Sequence, residues 1–350
     1  MQYRAVSRGD ALDGSLAGSV LVHDVRDARG AVCIAKGRVL NLDDVARLRT
    51  VPWQELHVAA LAPDDVHEDD AGPRLACAAA GSGVRVGERS AGHWPLIATR
   101  RGIVDISIDP LANVNGREGL SVYTLFHGHV VDEGEVVARA KITPFAVPRA
   151  LVEGAASVAK MEGGLVRVRG FRRTRIGAVV LASLGERNNS TIARFTESLG
   201  EKVRWLGSEL RTPLVAETHR DAVAAALRGE LAHGGDLLVV AGTRAMDELD
   251  PTFLALGDLG GQRVRQGVPA HPGSLFWIGR VGSVPILGLP SCGLFSEATV
   301  FDLVLPRILC GDTIGGAELA ALGHGGFLTR DMAYRFPPYR KSRRRGEVAD

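Results

Sequence analysis

Two uninterrupted apolar stretches set the character of the C-terminal half of the chain. Ile176-Gly-Ala-Val-Val-Leu181 and Asp236-Leu-Leu-Val-Val-Ala-Gly242 lack the polar alternation of a strand with one wet face. Runs of this kind belong to a parallel sheet covered by helices on both sides. The segments between them supply the helices. Asn189 or Ser190 is placed to cap a helix on which Ile192, Phe195 and Leu199 share a face, with Gly200 as its stop. Lys202 to Leu206 reads as the next strand. Thr218 and Asp221 form a weak capping box before Val223, Leu227 and Leu231 at helical spacing, and Gly234 ends that helix. A last helix is expected from Ser296 to Cys310. Alternating strands and helices predict an α/β layer domain over about residues 174–325.

The first 170 residues read differently, as a strand-rich, irregular accessory domain. Gly18–Val22, Val58–Leu61 and Gly102–Ile108 have the β-branched content and Gly/Asp punctuation of strands. Asn41 caps a short helix with Val45 and Leu48 on one face. Leu125–Val131 and Val136–Ile142 flank the acidic, glycine-containing Asp132–Glu135, and predict a hairpin. The 350-residue length accommodates both domains.

Composition removes several classes. Hydrophobic residues make up 45% and charged residues 23%, which excludes wholesale disorder. No run approaches a membrane span and no signal peptide opens the chain, so a cytoplasmic protein without membrane contact is expected. Cys33, Cys77, Cys292 and Cys310 are too scattered for a disulfide framework or a metal motif. The formal charge of +2 is unevenly spread: Arg335 to Arg345 carries six positive charges and no acid, leaving a mildly acidic body. Residues 326–350 are therefore expected to be a basic, solvated tail, and nucleic acid is not an expected partner.

Ligands in open α/β sheets bind beyond the carboxyl ends of strands. Three loops qualify. Ser183-Leu-Gly185-Glu186 leads into a helix and has the groups of an anion cradle or of an ordinary capped turn. Ala241 to Pro251 contains Gly242 and Thr243, and then Asp247, Glu248 and Asp250, carboxylates suited to Mg²⁺. Asp250 can equally cap a helix opening at Pro251. The third region pairs His271-Pro272-Gly273-Ser274 with Gly288-Leu-Pro290-Ser291-Cys292, rigid Pro/Gly loops with exposed amides. Cys292 has no local base and reads as structural.

Taken together, these loops resemble the molybdopterin-binding domain of the molybdenum-cofactor biosynthesis family, whose T-G-D-E, T-G-G-x-S-x-G-x-x-D, P-G-x-P and G-L-P-G-x-P motifs occur in this order. Thr243, Ala245 and Asp247 depart from the second motif, and Leu275 replaces the last proline of the third. The likeness is to a divergent, molybdotransferase-like bacterial branch often joined to a nucleotidyltransferase domain. It implies a three-layer α/β domain with a mostly parallel sheet. It also implies a molybdopterin or adenylated molybdopterin ligand held by Gly185, Glu186, Gly242, Thr243, His271, Pro272, Gly273, Ser274, Pro290 and Ser291. Asp250 and Asp247 would be catalytic, and Asp250 and Glu248 would hold Mg²⁺. Molybdate insertion into the pterin dithiolene is the transferase reaction implied; a non-catalytic carrier or sensor serving a partner enzyme is the alternative. Family members are often dimers or trimers, so the resemblance implies a homo-oligomer, with a molybdoenzyme or nucleotidyltransferase as the implied partner.

Overall fold

The computed structural model describes residues 1–8, 14–181, 189–290, 298–337 and 339. The chain divides into two compact units. The first comprises Met1–Arg100, Val104–His127 and Asp132–Val168; the second comprises Arg101–Ile103, Gly128–Val131 and Arg169–Asp350. Among the described residues, no helix is long and apolar enough to cross a membrane.

In the first unit, β1 (Gln2–Ser7), β2 (Val20–Leu21) and β3 (Glu55–Ala60) form an antiparallel sheet in the order β1-β3-β2. Helix α1 (Leu42–Leu48) starts as the sequence predicts. The Asn41 side chain accepts from the Asp44 N–H at 2.8 Å, and the Asp44 carboxylate accepts from the Asn41 N–H at 3.1 Å. Two first-turn donors are thereby satisfied. Val45 and Leu48 then meet Leu16, Leu21, Ile34 and Leu56 in a buried cluster.

A second antiparallel sheet runs β6-β7-β5-β4, with β4 (Val84–Val86), β5 (Trp94–Ala98), β6 (Leu120–Thr124) and β7 (Val136–Ile142). The expected hairpin of Leu125–Val131 with Val136–Ile142 is not formed. Strand β7 pairs with β5 and β6, while Val130 and Val131 pair with Ile103 and Gly102 in the second unit. The first unit is also more helical than expected, with α2 (Glu68–Ala79), α3 (Ile108–Asn115) and α4 (Arg149–Met161). Helix α2 hides behind Gly72 and Pro73, residues that read as breakers. Gly72 is there because the helix lies directly on the Trp94 indole, with no room for a β-carbon.

In the second unit a seven-stranded mixed sheet holds the two apolar runs at its centre. Strands β8 (Arg175–Leu181), β9 (Glu209–Leu210), β10 (Leu214–Ala216), β11 (Leu237–Thr243) and β14 (Val284–Pro290) pair in parallel, β9 and β10 both on β8. Strands β12 (Gln262–Gln266) and β13 (Trp277–Val281) continue it antiparallel beyond β14. Alternate side chains of the central strands enter different clusters. Ile176, Ala178, Val180, Leu237, Val239 and Ala241 pack with α5 (Asn189–Trp205) and α8 (Val300–Leu309). Val179, Leu181, Leu238 and Val240 pack with α6 (Arg220–Ala232) and α7 (Pro251–Asp258).

Helix α5 corrects the expectation of a stop at Gly200 and a strand over Lys202–Leu206. Phe195, Leu199, Val203 and Leu206 are all buried in one cluster at spacings of three and four residues. Burying these side chains gains about 1.5–3 kcal/mol apiece, more than the ~1 kcal/mol cost of a helical glycine. The last helix begins later than Ser296: Thr299 is its cap, and Asp302 closes a capping box.

Gly288 lies within β14 opposite Trp277. A β-carbon there would overlap the fully buried Trp277 indole. Its glycine is a packing requirement, not a ligand-loop feature. Gly288→Ala should therefore destabilise the second unit by about 1–3 kcal/mol or more, seen as a lowered midpoint in chemical denaturation followed by Trp fluorescence.

Candidate functional site

The carboxyl ends of β8, β11 and β14 lie side by side in the sheet, and three of the predicted segments follow them in sequence; His271–Ser274 instead lies between β12 and β13. Gly185, Glu186, Ser291 and Cys292 fall outside the described residues. The rest can be placed. At the end of β11, Gly242 has φ +90° and the chain turns into the loop 244–250. Thr243 is buried, pairs in register with Pro290 of β14, and its hydroxyl finds no hydrogen-bond partner among the described residues.

Asp250 is the N-cap of α7. One carboxylate oxygen accepts from Thr252 N–H at 2.8 Å, and the other reaches back to Ala245 N–H, also at 2.8 Å. Gln266 donates to the Ala245 carbonyl at 2.6 Å, pinning buried Ala245 at φ +49°. Asp247 accepts from Leu249 N–H at 2.8 Å. Glu248 is exposed and turns to Arg263 at 2.5 Å. That hydrogen bond, with the guanidinium charge, holds the Glu248 carboxyl below its ordinary range. The three carboxylates thus face three different partners. Among the described residues, no group of three or more His, Cys, Asp or Glu side chains is arranged to hold a metal ion. The carboxylates present do not fit Mg²⁺.

The third region does converge. The His271 backbone is bonded on both sides, its N–H to Gly326 O and its carbonyl to Leu328 N–H, each at 2.8 Å. The segment expected as a tail thus begins inside the unit. Pro272 O accepts from Val300 N–H at 3.1 Å, and Gly273 (φ +107°) rests against Val300. Ser274 is exposed. Around this contact lies a small cavity, part of it open to solvent. Its walls are Phe195, Ser198, Leu199 and Lys202 of α5, Gly273, Phe276, Leu289, Pro290, and the start of α8 from Thr299 to Phe301.

Sequence reasoning missed the polar anchor of this cavity. Lys202 Nζ lies 2.7 and 2.8 Å from the two Asp302 oxygens, and Asp302 is buried. Asp302 also accepts from Thr299 N–H at 2.8 Å and from its hydroxyl at 3.2 Å. Tyr339, in the basic segment, packs its ring edge-on against Trp205 at 5.8 Å and lies 5.4 Å from Lys202 Nζ. Burial first, and then the Asp302 charge, push the Tyr339 phenol above its ordinary range. Assigning Lys202 to a strand concealed the pair. The three-and-four spacing from Phe195 to Leu206 was the signal available.

No family model matches the chain, and no curated protein matches it. Solved structures do. A molybdopterin biosynthesis MoeA protein from Pyrococcus horikosii is 14% identical, over 70% of this chain and 79% of that one, at TM-score 0.32. The molybdopterin biosynthesis enzyme MoaB from Thermus thermophilus is 19% identical, over 40% and 98%, at TM-score 0.28. A molybdopterin biosynthesis protein from Mycobacterium abscessus is 16% identical, over 34% and 81%, at TM-score 0.25. The likeness is too slight to assign a role to any residue, so the chemistry here rests on the geometry above.

Two outcomes follow from that geometry. Asp250→Ala removes both acceptors from the 245–252 turn and should cost about 1–3 kcal/mol in chemical denaturation; Asp250→Asn, which keeps one acceptor oxygen, should cost less. Cys310 donates to the Arg169 carbonyl at 3.3 Å, and burial pushes its thiol up to about 11. Cys77 is exposed. Alkylation at neutral pH, read by peptide mass spectrometry, should label Cys77 well before Cys310.

Proposed function

We propose that the second unit binds molybdopterin, or its adenylate, at the carboxyl ends of its parallel strands. The observation that carries the reading is the cavity between α5, the Gly273 loop and the start of α8. It sits where open α/β sheets take ligands and is apolar with a few polar groups. Phe195, Phe276 and Phe301 offer surface to a flat heterocycle. Ser198 and Lys202 offer hydroxyl and ammonium hydrogens to an anionic substituent. Thr243, in register with Pro290 in the cavity wall, has a hydroxyl at the neighbouring strand end that finds no partner among the described residues. The matched loops of the sequence supply the choice of pterin, and the three-layer arrangement goes with that family reading.

Of the two activities consistent with such a ligand, carriage or sensing is favoured over transfer. Asp250 spends both oxygens on backbone amides, and Glu248 spends its charge on Arg263. No step through Mg²⁺ is derived for these residues.

Calorimetric titration of the full chain with molybdopterin and its adenylate, with and without Mg²⁺ and molybdate, tests the reading. The expected result is saturable pterin binding without cleavage of the adenylate. Failure to bind either pterin overturns the proposal; adenylate cleavage restores the transferase reading. Ser198→Ala should weaken binding by about two- to tenfold, the worth of one hydrogen bond.

A further inference from the structure

In the first unit, β2 and β3 bring two imidazoles and a carboxylate into contact at the surface. Val22 N–H donates to the His57 carbonyl at 2.9 Å, extending the pairing of β2 with β3 by one residue. The chain bends at His23, and its ring swings back over β3. His23 Nε2 lies 3.2 Å from His57 Nδ1. The ring centroids are 5.1 Å apart and the planes are tilted by 55°. The second nitrogen of His57, Nε2, lies 2.9 Å from Glu55 Oε1. All three side chains are exposed.

The arrangement fixes the His57 tautomer. A carboxylate only accepts, so His57 carries its proton on Nε2 toward Glu55 and presents a lone pair on Nδ1 toward His23. In the protein alone, His23 Nε2–H fills that lone pair. A hydrogen bond is one use of two nitrogens at this separation; shared ligation of one ion is another. With Zn–N bonds of about 2.0–2.1 Å, nitrogens 3.2 Å apart subtend roughly 100° at the metal, close to tetrahedral. A carboxylate on the far nitrogen of a ligating histidine is the usual outer support of such a site.

We propose that His23 Nε2 and His57 Nδ1 form a surface site for a divalent transition-metal ion of the Zn²⁺ type. Glu55 orients His57, and solvent or an added ligand completes the coordination. To ligate, His23 moves its proton from Nε2 to Nδ1. The ring is exposed, so water carries that exchange. The ion is bound by two imidazoles and by no thiolate, which suits Zn²⁺, Ni²⁺ or Cu²⁺ and disfavours Mg²⁺ and Ca²⁺. The site shares no residue with the cavity of the second unit, so its test is independent of the pterin reading.

The test is calorimetric titration of the full chain with ZnCl₂ in a buffer that does not chelate. A Cys77→Ser background removes the exposed thiol as a competing ligand. One ion per chain is expected at this site. His23→Ala and His57→Ala should each weaken that binding tenfold or more, with far-UV circular dichroism unchanged. Glu55→Gln should weaken it by about tenfold at unchanged stoichiometry, the usual effect of removing an outer partner. MgCl₂ titrated in the same way should give no binding that the histidine substitutions remove. Zn²⁺ binding that is absent, or that both histidine variants retain at parental strength, overturns the site. A Glu55→Gln affinity equal to the parent's overturns the role given to Glu55.

Discussion

The second unit's cavity depends on one buried ion pair. Asp302 lies in the first turn of α8, where a carboxylate is welcome to the helix amides but far from water. Left alone there it would cost several kcal/mol. Lys202 reaches it from α5, and the Thr299 hydroxyl and N–H take up its remaining capacity. The pair ties the two helices on that face of the sheet to each other, and Lys202 and Thr299 also line the cavity. Its floor is fixed by a second constraint, the register of β11 with β14, which sets Thr243 against Pro290. Neither constraint makes sense without the other: the sheet aligns the strand ends, and the ion pair holds the helices at the distance that leaves a gap over them.

What could be read from the sequence was what is local. The apolar runs at 176–181 and 237–242 announced a covered parallel sheet because each strand carries its own evidence of two dry faces. Asn41 announced α1 because a cap and the apolar face behind it, Val45 and Leu48, lie within eight residues of one another. Asp250 before Pro251 was legible as a cap for the same reason, and the structure uses it as one. The failures have a common physical cause. Gly200 was read as a helix stop from its intrinsic propensity, yet it sits inside α5, whose long-range burial outweighs about 1 kcal/mol. The hairpin at 125–142 looked complete locally, but β7 found better partners in β5 and β6, a pairing that only the folded topology supplies. Lys202 and Asp302 are a hundred residues apart, and no local pattern joins them.

The glycines divide into two kinds once their positions are known. Gly242 has a left-handed backbone at a strand end, where the chain must turn. Gly288 is an extended strand residue whose missing side chain makes room for Trp277, and Gly72 does the same for Trp94. The first kind of glycine is about the path of the chain; the second is about the neighbour. Only the first bears on ligand approach, so a motif that counts both alike overstates the size of a binding loop.

Charge follows a similar logic. The body of the chain is mildly acidic, and six basic residues with no acid among them lie from Arg335 to Arg345. A general positive field does not draw an anion to the cavity. Lys202 is already committed to Asp302, which makes that pair neutral as a unit. Its first contribution is therefore shape and hydrogen bonding, with attraction second. A ligand suited to this site presents a flat apolar body to Phe195, Phe276 and Phe301. Its charged end remains near the open mouth, where water shares the burden of solvating it. That division of labour favours holding a molecule over driving chemistry on its anionic group, because transition-state charge is stabilised best by donors that are aimed, dry and otherwise unengaged.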